Sequence, residues 1–238
     1  MNRILNHALA GAVLATLSLS AEATTISATF DSMTPQSGVT VSYPSTTTST
    51  SAGRFNFTRT GGDHPQTPLP DSPASKFWAF CVELGQTISF GQNVTFDVAP
   101  LAMGGSSMGG IGAARADDLR ELLGAVYPDF TQTLTNNGYA ALQIAIWEIT
   151  RENAGANGYD VYSGDVKFSG SNATILNLAN VYLANVDGSG PRAKGISALV
   201  NQSRQDMLVQ FPVPEPGSLG LALFGIGAML GARRRTAA

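Results

Sequence analysis

The chain carries an apolar run at each end, and these two runs decide how much of its 238 residues is left to fold. Near the N-terminus, Asn2-Arg3 precede an apolar stretch from Ala8 to Leu19 that is too short to cross a bilayer. Ala21-Glu22-Ala23 follows with the small-x-small pattern that signal peptidase reads, so residues 1–23 are expected to be a cleaved export signal. At the other end, Gly217 to Ala232 is uncharged and mostly apolar. As a helix that run reaches roughly 24 Å, short of a hydrocarbon core of about 30 Å. Arg233-Arg234-Arg235 then forms a basic stop, which the positive-inside rule keeps cytoplasmic. The tail is therefore expected to engage the membrane over residues 217–232. Residues 24–212 remain, a length that suits one domain.

The composition of this middle stretch excludes several function classes. From Ala23 to the tail there are ten Lys or Arg against fifteen Asp or Glu, a net of −5. No basic footprint for nucleic acid exists. Abundant Gly, Ser, Thr and Asn with sparse charge suits an extracellular, β-rich body with long loops. Cys81 is the only cysteine, so no internal disulfide can form. With the signal removed, His64 is the only histidine, which rules out the usual Cys/His zinc site. A Ser-His-Asp triad would have to use His64, in the loop Gly61-Gly62-Asp63-His64-Pro65, and no nucleophile elbow or phosphate-cradling glycine loop is present. No metal, cofactor or catalytic residue of an enzyme is expected.

Residues 26–60 read as β-structure. Val39 to Tyr43 and Arg54 to Thr58 alternate, with Pro44 to Gly53 as a Ser/Thr-rich hairpin loop between them. Gly61 to Ser75 is a Pro/Gly/Asp-rich loop. Phe77 to Leu84 is a short, nearly continuous apolar run of the kind found in buried strands, and Thr87 to Val98 reads as another strand. A Gly/Met-rich loop, Met103 to Gly112, leads to a helix with Asp117-Asp118 in its first turn and Leu119, Leu122, Leu123 and Val126 as its apolar stripe. A second helix is predicted from Tyr139 to about Glu152, then a loop over Gly155 to Gly170, a third helix from Ala173 to Val186, and a last strand from Met207 to Val213. The fold class is α+β: a β-sandwich or barrel-like body with a helical portion, in a single domain.

Two residues stand out chemically. Tyr139 to Trp147 is apolar or aromatic at every position except Gln143, which shares a stripe with Tyr139, Ile146 and Trp147. A buried carboxamide without partners costs a few kcal/mol, so Gln143 needs hydrogen bonds or a special role. The lone Cys81 sits in an aromatic strand with Glu83 as its acidic neighbour.

Phe80-Cys81-Val82-Glu83-Leu84 and the later Leu142-Gln143-Ile144-Ala145-Ile146-Trp147-Glu148-Ile149-Thr150 together resemble the paired motifs of bacterial thioester domains. The resemblance implies an adhesin-type domain in which the Cys81 and Gln143 side chains join as an internal thioester. Such a bond would capture an amine on a partner surface. Val213-Pro214-Glu215-Pro216, with the apolar run and arginines behind it, resembles the PEP-CTERM sorting tail handled by exosortase. This implies an exported protein that passes through an inner-membrane-anchored intermediate to the cell surface.

A thioester must be shielded from water and needs donors for the developing oxyanion. Trp78, Phe80 and Trp147 are candidate walls, and backbone N–H groups in the first turn of the second helix are candidate donors. Glu83 and Glu148 lie beside the proposed bond, either assisting proton transfer or serving at the surface or in a salt bridge. The alternative reading makes Cys81 a small buried hydrophobe and Gln143 a structural hydrogen-bonder, in a matrix protein associated with exopolysaccharide. Asp160, Asp165 and Asp187 lie in Gly-rich loops, but no EF-hand spacing supports calcium there.

Overall fold

Long stretches of β-branched and aromatic residues in alternation favour extended backbone, and in this chain they build a sheet that closes on itself. The computed structural model describes residues 24–43, 46–71, 75–152 and 158–213. The expected export signal, Pro214-Glu215-Pro216, the apolar run 217–232 and Arg233 to Arg235 lie outside the described residues.

The strands are β1 (Thr25–Tyr43), β2 (Thr46–Gly61), β3 (Lys76–Cys81), β4 (Asn93–Pro100), β5 (Lys167–Ser169), β6 (Ile196–Val200) and β7 (Met207–Gln210). The helices are α1 (Gly112–Val126), α2 (Asn136–Arg151) and α3 (Ala173–Leu183). All pairings are antiparallel, and they run β1–β2–β3–β7–β6–β4 and back to β1. β5 adds to the far half of β1. The body is thus barrel-like, within the expected α+β class.

Inside it, aromatic rings from neighbouring strands stack. Phe30 lies 5.2 Å from Phe55, Phe57 lies 5.3 Å from Phe77, and Phe96 meets Phe57 edge-on at 6.2 Å. These rings are almost wholly buried and supply much of the apolar area that drives folding.

Several boundaries differ from the sequence reading. The Ser/Thr tract is strand, not hairpin loop: Val39 pairs with Thr50, Val41 with Thr48 and Tyr43 with Thr46. Threonine's branched side chain suits a ladder when a partner strand is available, and the alternating residues of β1 provide one. Register shifts between Phe30 and Ser32 and between Met33 and Gln36 mark bulges that bend β1 into two halves. Of the strand expected over Thr87 to Val98, only the part from Asn93 onward pairs, because a turn with Gly91 at φ 75° precedes it. Helix α1 starts at Gly112, so Asp117-Asp118 fall in its second turn and no acid occupies the first. Strand β6 was not legible as a separate element.

Helix α2 is the centre of the molecule. Every residue from Gly138 to Thr150 is buried, with β1, β2 and β3 packed against the helix and α1 and α3 also in contact with it. Its start is fixed by Thr135, whose side-chain oxygen accepts from the Gly138 N–H at 3.0 Å.

Candidate functional site

Cys81 is the last residue of β3, and the β2 ladder beside it ends two residues earlier, where Ala79 faces Phe55. The Gln143 carboxamide completes the edge. The Cys81 N–H donates to Gln143 Oε1 at 2.9 Å, and Gln143 Nε2 donates to the Cys81 carbonyl at 2.8 Å. This two-point contact is the one a neighbouring strand's peptide would make, and it fixes which end of the amide faces which group. Both residues have no exposed surface. The structure therefore brings Cys81 and Gln143 together, 62 positions apart in sequence.

The sulfur sits in a fold of its own backbone. The thiol donates to the Glu83 carbonyl, and the Glu83 N–H donates back to the sulfur at 3.3 Å. Burial pushes the Cys81 thiol up to about 12. The Trp147 indole N–H, the Glu83 backbone and the Arg151 charge pull it down, while the Glu83 carboxylate adds to the rise. At neutral pH Cys81 is a thiol, so attack on a neighbouring carbonyl requires its proton to leave in the same step.

Of the expected aromatic walls, only Trp147 meets the sulfur. It lies one turn beyond Gln143 and is 1% exposed. Its Nε1 is buried and favours negative charge on the sulfur. Alternation along β3 puts Trp78 and Phe80 on the other face. Trp78 donates to the Phe130 carbonyl at 3.1 Å and carries the Arg54 guanidinium 3.8 Å above its ring, while Phe80 packs edge-on against Tyr127 and Phe130.

The oxyanion donor also differs from expectation. Gln143 lies in the second turn of α2, and the N–H at its Oε1 is that of Cys81 itself. One residue thus presents both a nucleophile and a donor for the oxygen that would carry charge.

Neither carboxylate acts at the surface, and neither faces the sulfur. Glu83 is buried, with Oε2 accepting from the Ser107 hydroxyl at 2.5 Å and Oε1 from the Asp206 N–H at 2.9 Å. Asp206 in turn accepts from the Asn201 and Ser106 N–H groups at 2.7 Å each. Together they pin the loop after β4 to the turn between β6 and β7. Glu148 is five positions past Gln143, about 140° round the helix. Its Oε1 accepts from the Asp160 N–H at 3.0 Å, and its buried Oε2 has no partner. Burial raises its carboxyl to about 8, opposed by the Asp160 N–H and reinforced by Glu152 and Asp160.

Sequence reasoning missed Tyr43, Gln86 and Arg151. The Tyr43 hydroxyl, Gln86 Oε1 and Arg151 Nε are buried without partners. The Arg151 guanidinium lies 5.7 Å from the Tyr43 ring, and both residues are within electrostatic reach of Cys81. Arg151 was discoverable, being one turn beyond Trp147 on the same stripe. A cleft of about 240 Å³ is lined by Trp147 together with the Thr50-Ser51 segment, Gln86-Thr87 and Gln205.

His64 plays no part here: its ring lies on Phe211 at 4.3 Å, and its Nδ1 bonds the Gln66 backbone. Asp160 caps its own turn through the Tyr162 N–H and the Ser163 hydroxyl and accepts from Asn180, and Asp187 does likewise with Ser189. Among the described residues no group of three His, Cys, Asp or Glu side chains is disposed to hold a metal ion, and no helix is long and apolar enough to cross a membrane.

Beyond the last strand the chain turns into its tail, which begins at the exposed Val213. Residues 212–235 match the PEP-CTERM protein-sorting motif. The PEP-CTERM match supports an exported, surface-directed protein with exosortase as its processing partner, and it implies a membrane-anchored intermediate on the way. No curated protein and no solved structure matches the chain.

Proposed function

We propose that Cys81 and Gln143 condense into an internal thioester, and that the exported protein uses it to capture an amine on a partner surface. The observation that supports this is the two-point bond of the Gln143 carboxamide to the backbone of Cys81. It holds the electrophilic carbon beside the residue that bears the thiol, with a donor already on the carbonyl oxygen. In the forming step the Cys81 sulfur attacks Gln143 Cδ, the C–N bond breaks, and the thiol proton leaves with the nitrogen as ammonia. In the capture step an amine attacks the same carbon, the C–S bond breaks, and the sulfur takes up the amine's proton. The products are an amide to the partner and a free Cys81 thiol.

A second reading has its own support. The same two hydrogen bonds give both the oxygen and the nitrogen of the carboxamide a partner, and a thiol raised to about 12 is a poor nucleophile until deprotonated. Cys81 and Gln143 would then be structural, in a matrix protein associated with exopolysaccharide. Intact mass separates the two. The thioester reading expects the protein about 17 Da light, a gain of about 31 Da on methylamine treatment, and loss of both effects in Cys81→Ala. A full-mass protein with a titratable thiol after unfolding sinks it and leaves the structural reading.

A further inference from the structure

The stripe of α2 that carries Gln143 and Trp147 ends, one turn further on, at Arg151. Each of the three brings something different to Cys81: Gln143 a carbonyl carbon, Trp147 an N–H, Arg151 a positive charge. The Arg151 guanidinium lies beside the turn that encloses the sulfur. Its Nη2 is 3.9 Å from where a Cβ on Gly85 would stand, and the Tyr43 ring is 5.7 Å away. Gly85 is two residues past Glu83, whose carbonyl and N–H both bond the sulfur.

What Arg151 lacks is an anion. Among the described residues its side chain has no hydrogen-bond or ion-pair partner, and its Nε is buried. Arg192, by contrast, reaches Asp117 at 2.9 Å and Glu121 at 3.4 Å. The Trp147 indole N–H is a second buried donor without an acceptor. Both residues favour negative charge on the Cys81 sulfur, whereas the Glu83 carboxylate opposes it. A thiol is uncharged and accepts hydrogen bonds weakly; a sulfur that gains an electron pair becomes an anion and a far better acceptor. The two unmatched groups therefore complement the sulfur during reaction and not at rest.

We infer that Arg151 is a positioning residue of the Cys81–Gln143 reaction, the cation that stabilises the sulfur as it takes the electron pair of the breaking C–S bond. The inference rests on the thioester reading. In the capture step the amine attacks Gln143 Cδ, the C–S pair passes to Cys81 Sγ, and the amine's proton then moves to that sulfur. The same charge assists the forming step, in which the thiol gives up its proton as sulfur attacks Cδ. Arg151 also ends a helix, where a cation offsets the C-terminal dipole. That role sets stability and not the rate of C–S cleavage.

The rate of methylamine capture by the purified protein tests this. Capture is followed by intact mass on the fraction about 17 Da light, with rates normalised to the unprotonated amine. Arg151→Gln should slow capture about tenfold, while Arg151→Lys, which keeps the charge, should stay within about threefold of the parent. Arg151→Met supplies the uncharged comparison should the glutamine variant fold poorly. Urea titration of each variant separates lost stability from lost rate. A folded uncharged variant at full mass, beside a lysine variant that loses ammonia, supports the inference through the forming step. Uncharged variants that capture at the parent rate overturn it, as does a lysine variant as slow as they are. Either of those results leaves the thioester reading standing. A parent protein at full mass and inert to methylamine overturns the thioester reading and this inference with it.

Discussion

Gln143 and Glu148 are two buried polar side chains on one helix, five residues apart, and the molecule treats them in opposite ways. The Gln143 carboxamide uses oxygen and nitrogen on a single strand terminus, so each of its two polar atoms has a partner. Glu148 faces a loop, receives one backbone N–H, and keeps an oxygen with no partner. The first group is held by a rigid sheet edge whose donor and acceptor match it. The second is half-held, so burial acts on its ionisation instead. A buried carboxamide can be fixed by a strand edge without any change of charge, whereas a buried carboxyl with a single N–H partner keeps a proton that burial makes hard to lose.

The sharpest way to break the contrast is Gln143→Leu, which keeps the volume and removes both bonds. The buried N–H and C=O of Cys81 then lack partners, and unfolding stability should fall by roughly 3 kcal/mol in urea titrations. A loss under about 1 kcal/mol would mean that β2 or another backbone segment can replace the carboxamide.

Glu148→Gln acts on the other side of the comparison. Its carboxyl stays protonated in the fold up to about 8, whereas in the unfolded chain it ionises near its ordinary value of 4.5. The folded state holds the extra proton between these values, so stability falls as pH rises from about 4.5 to about 8. The glutamine variant keeps the acceptor for the Asp160 N–H and cannot ionise. It should match the parent at pH 4 and exceed it by about 2 kcal/mol at pH 8. Each tenfold change in proton affinity is worth about 1.4 kcal/mol, and relaxation of the pocket returns part of the total. Equal stability at both pH values would show that the Glu148 pocket is wet.

The smallest effect concerns the frame common to both groups. Thr135→Ala removes the cap that starts α2 and should cost about 1 kcal/mol while leaving the mass signature of Cys81 and Gln143 unchanged. A change in that signature would show that the helix start, and not the strand edge, sets the carboxamide's position.

Much of the site was legible along the helix and little of it across the sheet. The period of α2 places Gln143, Trp147 and Arg151 on one stripe, and the apolar run around Cys81 marks a buried strand. What the sequence concealed is where β2 stops beside β3. That stop depends on bulges in β1 far upstream, which set the register of β2 and leave the Cys81 edge open for Gln143. The same non-local pairing turned a Ser/Thr tract into strand. The placement of Trp78 and Phe80 on the far side from the sulfur, by contrast, follows from the alternation along β3 alone. Glu148's half-partnered state depends on a loop backbone twelve residues away, whose path no pattern in the helix encodes.

Burial of the lone cysteine also bears on the fate of its thiol outside the cell. Oxidants act on sulfur that is exposed and ionised. Cys81 has no accessible surface and holds its proton far above neutral pH, so it is protected on both counts. An exported molecule with no second cysteine has no disulfide partner within its own chain. Its sulfur is therefore shielded from oxidation and from disulfide exchange for as long as the fold around β3 and α2 stays closed.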